Sequence, residues 1–150
     1  MSMTEQNKTI VRAIYEQALN KRNFGLLKDL IAPDFTGIKG MKGPAAFEEP
    51  VAGVIKAIPD AQWHIETLVA EADKVFIWWK VKGTNTGPFQ GLEATGNAVV
   101  NDGVAIYQIK DGKVIASQVL TDRLNFLQQL EILPADINAL YQLKAGGVNK

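Results

Sequence analysis

AVVNDGVAIYQIKDGKVIASQVLTD, residues 98–122, is the stretch that decides the fold. Residues that favour β-strands fill it on both sides of Asp111-Gly112, a pair typical of the tight turn in a β-hairpin. The pattern predicts one strand over 98–110 and a second over 113–122. An antiparallel sheet is therefore expected in the second half of the chain.

Two more strands are predicted immediately upstream, over 61–70 and 75–82, with a polar turn at residues 71–74. Side chains alternate between the two faces of a strand, so the second of these strands has one wholly apolar face and one mixed face. The apolar face should point inward and carries Val75, Ile77, Trp79 and Val81. The mixed face is typical of a partly covered or interface surface and carries Phe76, Trp78, Lys80 and Lys82.

The first 60 residues have the spacing of helices. Apolar residues between about 4 and 21 recur on one helical stripe, namely Val11, Ile14, Tyr15, Ala18 and Leu19. Ser2 or Thr4 could cap this helix, and a short second helix is predicted over 24–31. A third begins at Pro44, with a kink or a division into two pieces expected at Pro50 because proline removes a helical hydrogen bond.

Another helix is predicted from residue 123 to about 130, and a further one is possible over 134–143. Helices followed by an antiparallel meander place the chain in the α+β class. The 150 residues fit a single domain, 1–150, with a core of about 7–131 and a C-terminal extension over 134–150.

Composition excludes several functional classes. Sixteen basic residues balance 16 acidic ones, so no net field would attract nucleic acid or anionic lipid. The chain has no cysteine and one histidine, His64, and no cluster has the spacing of metal ligands. No secretory signal or membrane-spanning run is visible. We therefore predict a cytoplasmic protein without metal, cofactor, nucleic-acid partner or membrane partner.

Asp122 is the candidate catalytic residue. It ends an apolar strand, and Gln118 and Leu120 share its face because strand neighbours two and four apart point the same way. A carboxyl group in an apolar pocket has its charged form disfavoured, which suits proton exchange near neutral pH. The alternative is that Asp122 only caps the helix that begins at Arg123.

Polar and aromatic residues elsewhere are candidates for substrate binding. Asn101, Gly103, Ala105 and Tyr107 alternate onto one strand face, where Asn101 and Tyr107 could hydrogen-bond a substrate carbonyl. The alternative is a bulge at Gly103 and ordinary core packing. Four aromatic residues could line a cavity or simply fill the core: Tyr15, Phe35, Trp63 and Trp79. His64 lies between Trp63 and Ile65 and is expected to face outward.

Seven short segments occur in an order and spacing typical of one family. They are APDF (32–35), PD (59–60), VAEADKV (69–75), GTNTG (83–87), ATG (94–96), TDRL (121–124) and QQL (128–130). On these segments the chain, over about residues 7–130, resembles the SnoaL-like polyketide cyclases. That family lies within the wider nuclear transport factor 2-like and ketosteroid isomerase-like superfamily.

The resemblance implies a cystatin-like α+β barrel, in which a curved antiparallel or mixed sheet forms a cone closed by N-terminal helices. It also implies a dimer formed through the convex face of the sheet, and a pocket lined by the strand face that carries Tyr107. Family cyclases close a ring by an intramolecular aldol reaction without a cofactor. A carboxylate at the Asp122 position serves there as general acid/base, with pocket histidines assisting.

This chain departs from the family pattern at four positions. Thr36, Asn85 and Ala105 stand where histidines are frequent, and Gln118 replaces a usual tryptophan. The leading hypothesis is a cofactor-independent cyclase or isomerase acting on a small hydrophobic carbonyl compound. Asp122 would exchange a proton beside the carbonyl, while Asn101, Tyr107 or Gln118 donates to the enolate oxygen.

The absent histidines favour an alternative, a non-catalytic protein whose pocket binds a small hydrophobic molecule. A third interpretation is an interaction domain whose pocket is filled by its own side chains. Phe76 and Trp78 on the mixed strand face predict a homodimer.

Overall fold

The computed structural model describes residues 1–148 and shows helices packed on one four-stranded antiparallel sheet. The strand order is β1-β2-β3-β4, and the sheet is curved and does not close on itself. The predicted α+β class is confirmed. The elements are α1 (Met3–Ala13), α2 (Leu27–Leu30), α3 (Pro44–Ala57), β1 (Gln62–Glu71), β2 (Lys74–Thr84), β3 (Ala98–Lys110), β4 (Lys113–Thr121), α4 (Arg123–Gln129) and α5 (Asn138–Val148).

The β3–β4 hairpin forms as its sequence predicts. Asp111 and Gly112 both have left-handed backbone angles, with φ of 53° and 79°. A two-residue turn of this kind matches the twist of the strands that it joins, and glycine adopts it without steric cost. β3 has the predicted bounds, whereas β4 ends at Thr121 because Asp122 leaves the strand to begin α4.

The inner face of the sheet is buried on β2, as predicted. Val75, Ile77, Trp79 and Val81 are all buried, and strand pairing continues their face onto β3 and β4. Three rows cross this face from β2 through β3 to β4: Trp79–Gly103–Thr121, Ile77–Ala105–Val119 and Val75–Tyr107–Ser117.

The N-terminal helices cover the inner face. The Ser2 hydroxyl accepts a hydrogen bond from the Glu5 amide at 3.2 Å and caps α1. A π-helical segment, Ile14–Leu19, continues α1, so the predicted buried stripe is confirmed although the helix widens partway. A parallel bridge between Ile31 and Val114 ties the end of α2 to the sheet.

Pro44 is the first residue of α3, as predicted. The expected division of this helix into two pieces at Pro50 is wrong, because α3 is continuous from Pro44 to Ala57. Pro50 is solvent-exposed, so water can satisfy the carbonyl group that loses its helical partner. In the described range 1–148, no helix is long and apolar enough to cross a bilayer.

Candidate functional site

The predicted site residues lie on opposite faces of the sheet. Tyr107 pairs with Ser117 on the inner face, whereas Gln118 pairs with Ile106 on the outer face. Gln118 and Leu120 do share a face, as alternation predicts, but it is not the face of Tyr107, and Asp122 lies beyond the end of β4 with no partner in the register. The expectation that Gln118 lies in the same pocket as Tyr107 is therefore wrong.

A β-bulge in β4 is the physical cause of this separation. Ile109 pairs with Val114, and Gln108 pairs with Ala116, so Ile115 has no partner in the register. Counting alternate residues from buried Val114 would point Gln118 inward. The extra residue shifts the alternation by one position and points Ser117 inward instead.

Asp122 is exposed and forms the N-cap of α4. Its Oδ1 accepts a hydrogen bond from the Asn125 amide at 3.1 Å, and its own amide donates to the Asp102 carbonyl oxygen at 3.0 Å. Oδ2 makes no hydrogen bond to residues 1–148. These contacts are those of the capping alternative, and they leave one carboxylate oxygen open.

A shallow groove of about 230 Å³ runs beside Asp122 on the outer face. Asp102 lies at its edge, where it accepts hydrogen bonds from Lys80 Nζ at 2.9 Å and from Trp78 Nε1 at 2.8 Å. The Lys80 hydrogen bond is the main cause of a lowered pKa for Asp102, so this carboxyl group remains ionised at neutral pH. This cluster was not predicted from the sequence, although alternation along β2 and β3 places all three side chains on the outer face.

The inner face contains a buried pair of tyrosine hydroxyl groups, the tyrosine pair. Tyr15 Oη and Tyr107 Oη lie 2.6 Å apart, and both residues are almost completely buried. Burial is the main cause that raises the pKa of Tyr15 well above its ordinary value of 10.0, and burial raises the pKa of Tyr107 to about 12. Both hydroxyl groups are therefore protonated at neutral pH.

Aromatic rings surround the tyrosine pair. The Tyr15 ring lies 6.5 Å from that of Trp79, and the Tyr107 ring lies 6.1 Å from that of Phe47. Phe35 packs edge-on against Phe47 at 6.1 Å. The structure thus brings together Tyr15, Tyr107, Trp79 and Phe35, and their packing fits both a ligand wall and plain core.

Trp63 and Asn101 also lie on the inner face, each with a structural contact of its own. Trp63 is buried beneath the Arg22 guanidinium, which stands 5.9 Å from the ring centre. Asn101 is buried, and its Oδ1 accepts a hydrogen bond from Asn125 Nδ2 at 3.0 Å. Its amide nitrogen makes no hydrogen bond within residues 1–148 and could donate to a ligand.

Asn85, at a position where the family often has histidine, is a structural residue in this chain. Its amide donates to the carbonyl oxygens of Ala57 and Gly87, both at 3.0 Å, and its Oδ1 accepts from the amide and hydroxyl of Thr95. It is 1% exposed. The side chain therefore fixes the loop between β2 and β3 to the end of α3 rather than offering a group to a substrate.

The inner face is uncovered along β4. Val119 is 49% exposed and Thr121 is exposed, although both share their face with buried Ala105. These two residues, Val119 and Thr121, form the open strip of the inner face.

His64 is exposed, as expected. Among residues 1–148, no group of three or more potential ligand side chains is placed to hold a metal ion.

Known proteins similar to this chain share its architecture. Residues 9–130 match the family model described as SnoaL-like polyketide cyclase. The search of curated proteins found no match. One similar solved structure is a SnoaL-like protein from Jannaschia sp. CCS1, 20% identical, with a TM-score of 0.78, covering 89% of this chain and 97% of that one.

Two further structures show the same fold. TsrD from Streptomyces laurentii is 19% identical, with a TM-score of 0.77, and the match covers 87% of this chain and 97% of that one. A SnoaL-like polyketide cyclase from Agrobacterium tumefaciens strain C58 is 20% identical, with a TM-score of 0.70, covering 83% and 97%.

Proposed function

The chain belongs to the SnoaL-like polyketide cyclase family, and from this premise we propose that it is a cofactor-independent cyclase or isomerase. Its substrate is a small hydrophobic molecule that carries a carbonyl group and binds against the inner face of the sheet. The tyrosine pair is the observation that carries this proposal. Two protonated hydroxyl groups inside an aromatic cluster, with only one of their protons used between them, supply a donor that a carbonyl oxygen needs.

The open strip supports the choice of the inner face. Val119 and Thr121 give an exposed approach to a surface that the helices cover elsewhere. Asp122 follows Thr121 directly, so a ligand lying along this strip reaches the end of β4. Asn101 and Tyr107 are the donors that we assign to this site, and Gln118 is left out of it because its side chain is on the outer face.

Asp122 is the proposed general base. Its open carboxylate oxygen takes a proton from the carbon beside the carbonyl, and the electron pair moves onto the oxygen to form an enolate. In a cyclisation the enolate carbon attacks a second carbonyl of the same molecule and forms the new carbon–carbon bond. The alkoxide formed there takes the proton back from Asp122. In an isomerisation the proton returns to a different carbon.

Deuterium exchange into the α-position of 1-tetralone in D2O tests this role without requiring the natural substrate. Asp122→Asn keeps an oxygen that can cap α4 but removes the basic group. We expect the wild-type protein to accelerate exchange at the α-carbon, and the Asn variant to lose about 100-fold or more of that acceleration. Equal exchange by the two proteins would remove Asp122 from the proposal.

A non-catalytic binding protein is the second candidate. The use of Asp122 as the exposed N-cap of α4 favours it, because this contact explains the residue without a catalytic role. Binding of 1-tetralone to the wild-type protein, with exchange no faster than in buffer, would establish this alternative.

We also propose that two copies associate through the outer face of the sheet. Five large apolar residues are exposed there, Val69, Trp78, Val100, Ile106 and Leu120. A contiguous exposed apolar surface on a small domain is typical of an association site. The cytoplasmic location is part of the same proposal and is supported by the lack of cysteine.

A further inference from the structure

Trp79 carries a buried polar atom that has no partner. Its indole Nε1 is inaccessible to solvent and makes no hydrogen bond within the described residues. Buried N–H groups in folded proteins almost always have an acceptor, because a buried donor without a hydrogen bond costs free energy that packing does not compensate. An unpaired indole N–H therefore indicates a place where an acceptor is missing.

The residues around this indole also contain a second hydrogen-bond donor that is not used. Tyr15 and Tyr107 share a single hydrogen bond, so one of their two hydroxyl protons is not used in it. The Trp79 indole N–H lies close enough to the Tyr15 hydroxyl oxygen to lower the pKa of Tyr15 against the larger effect of burial, but the two groups do not meet the distance and angle of a hydrogen bond. One indole proton and one hydroxyl proton are thus available inside the same aromatic cluster.

Gly103 determines where the indole lies. A Cβ atom at residue 103 would fall 2.1 Å from Cζ2 of Trp79, so the ring rests directly on the glycine backbone. Thr121 is the next residue of this row and belongs to the open strip. The indole therefore extends from β2 over β3, in the row that ends at the open strip.

We propose that Trp79 Nε1 and the tyrosine pair form an oxygen-binding subsite, and that the Trp79 ring moves to admit the ligand from the open strip. The ligand is a planar aromatic ketone or its enolate, whose oxygen accepts hydrogen bonds and donates none. This inference rests on the proposed function and adds to it a donor, an entrance and a ligand shape. Trp79 is a substrate-binding residue in this scheme and makes no proton transfer.

A pair of ligands of equal shape isolates the role of the oxygen. 2-Acetylnaphthalene carries the carbonyl group, and 2-isopropenylnaphthalene has a methylene group in its place. Trp79→Phe removes the N–H and keeps an aromatic ring. Trp78→Phe is the matched control, because Trp78 is the neighbouring residue on the opposite face and its N–H is bonded to Asp102 at 2.8 Å.

Two measurements are needed, the dissociation constants by titration and the indole N–H resonances of a 15N-labelled protein. We expect the ketone to move the Trp79 indole proton downfield, as hydrogen bonding does, and the alkene to leave it unmoved. Trp79→Phe should weaken ketone binding by about tenfold, the effect of one lost hydrogen bond in a buried site. Alkene binding by this variant, and both affinities of Trp78→Phe, should stay within about twofold of wild type.

The urea-unfolding midpoint of Trp79→Phe separates ligand binding from a structural role. Loss of an unpaired donor favours the fold whereas the smaller ring leaves a gap in the core, so we expect this midpoint to stay at or slightly below the wild-type value. A damaged fold would weaken ketone and alkene binding alike, whereas loss of the N–H weakens ketone binding alone. Equal affinity for ketone and alkene, with the Trp79 resonance unmoved, would overturn the oxygen subsite while leaving apolar binding on the inner face intact. If neither compound binds, the subsite and the proposed ligand class both fail.

Discussion

The hydroxyl oxygens of Tyr15 and Tyr107 lie 2.6 Å apart, although 92 residues separate them in the chain. Their hydrogen bond joins the helical segment Ile14–Leu19 to the middle of β3, and it is buried at both ends. Each hydroxyl is the partner of the other, so loss of one leaves the second without its buried partner.

The losses of stability caused by replacing each tyrosine alone should therefore add up to more than the loss caused by replacing both. Tyr15→Phe and Tyr107→Phe should each lower the free energy of unfolding by about 1–3 kcal/mol, the penalty for an unsatisfied buried group. The double variant should lose clearly less than the sum. Urea denaturation measures all three, and Tyr141→Phe, on exposed α5, is the control. Additive losses would show that the two hydroxyl groups do not depend on each other.

Stability should fall in alkaline solution because of the same pair. The pKa of Tyr107 is about 12 in the folded protein, against an ordinary value of 10.0, so the folded state holds this proton more tightly. The resulting contribution is fully present below pH 10 and is lost as pH rises from 10 to 12. At about 1.4 kcal/mol per pKa unit, it amounts to about 3 kcal/mol.

Urea midpoints measured between pH 8 and pH 12 check this dependence. The wild-type protein should lose stability over the upper two pH units, and Tyr15→Phe/Tyr107→Phe should lose less over the same interval. Parallel profiles for the two proteins would mean that other groups cause the alkaline loss.

The cap at Asp122 should contribute to stability independently of any catalytic role. Asp122→Ala removes the acceptor for the Asn125 amide and should cost about 0.5–2 kcal/mol. Asp122→Asn should cost much less, because asparagine caps helices about as well as aspartate. Thermal unfolding monitored by circular dichroism gives both values. Equal destabilisation by Asn and Ala would show that the charge, rather than the cap, stabilises α4.

Gly103 should tolerate no larger side chain while Trp79 is in place. In Gly103→Ala the new methyl group would meet the indole at 2.1 Å, so the ring must shift towards the open strip. We expect a loss of about 1–3 kcal/mol from overpacking and a red shift of tryptophan emission as the ring meets water. Gly53→Ala, on α3 with no atom near its added methyl group, should instead be neutral or stabilising. An unchanged emission spectrum for Gly103→Ala would contradict the predicted movement.

Association through the outer face should be sensitive to charge at its centre. Ile106→Lys places an ammonium group among Phe76, Val104 and Gln118 and should shift the protein from dimer to monomer at micromolar concentration. Leu143→Lys, an equally drastic change on exposed α5, should leave the dimer intact. Sedimentation velocity measures the outcome. A wild-type monomer would end the proposal, as would an Ile106→Lys dimer.

Strand and turn chemistry made much of the fold predictable. Asp111-Gly112 located the hairpin, and alternation along β2 separated the buried face from the exposed face, because both depend on short-range geometry. Pro44 marked the start of α3 for the same reason. Whether Pro50 divides the helix depends on whether its side of the helix is exposed to water, and the local sequence pattern does not show this.

The site was only partly predictable. Alternation correctly grouped Gln118 with Leu120, but the bulge at Ile115 has no marker such as glycine, and it alone determines their face. Asn85 stood where a family histidine was expected, and its four hydrogen bonds involve Ala57, Gly87 and Thr95, which only the folded chain brings together. The unpaired N–H of Trp79 likewise exists only after the ring has packed on Gly103.

The bulge in β4 has a consequence for how such a sheet can change during evolution. Deleting the single codon for Ile115 would remove the bulge and leave every residue from Ala116 onward with its present partner on β3 and on its present face. Pairing Ile115 with Gln108 instead, with no change of sequence, would slip the rest of β4 by one position and turn Gln118 towards the tyrosine pair. The register of the last hairpin, rather than amino-acid identity, therefore decides which side chains serve the interior, and a site in this architecture can be gained or lost before any side chain is substituted.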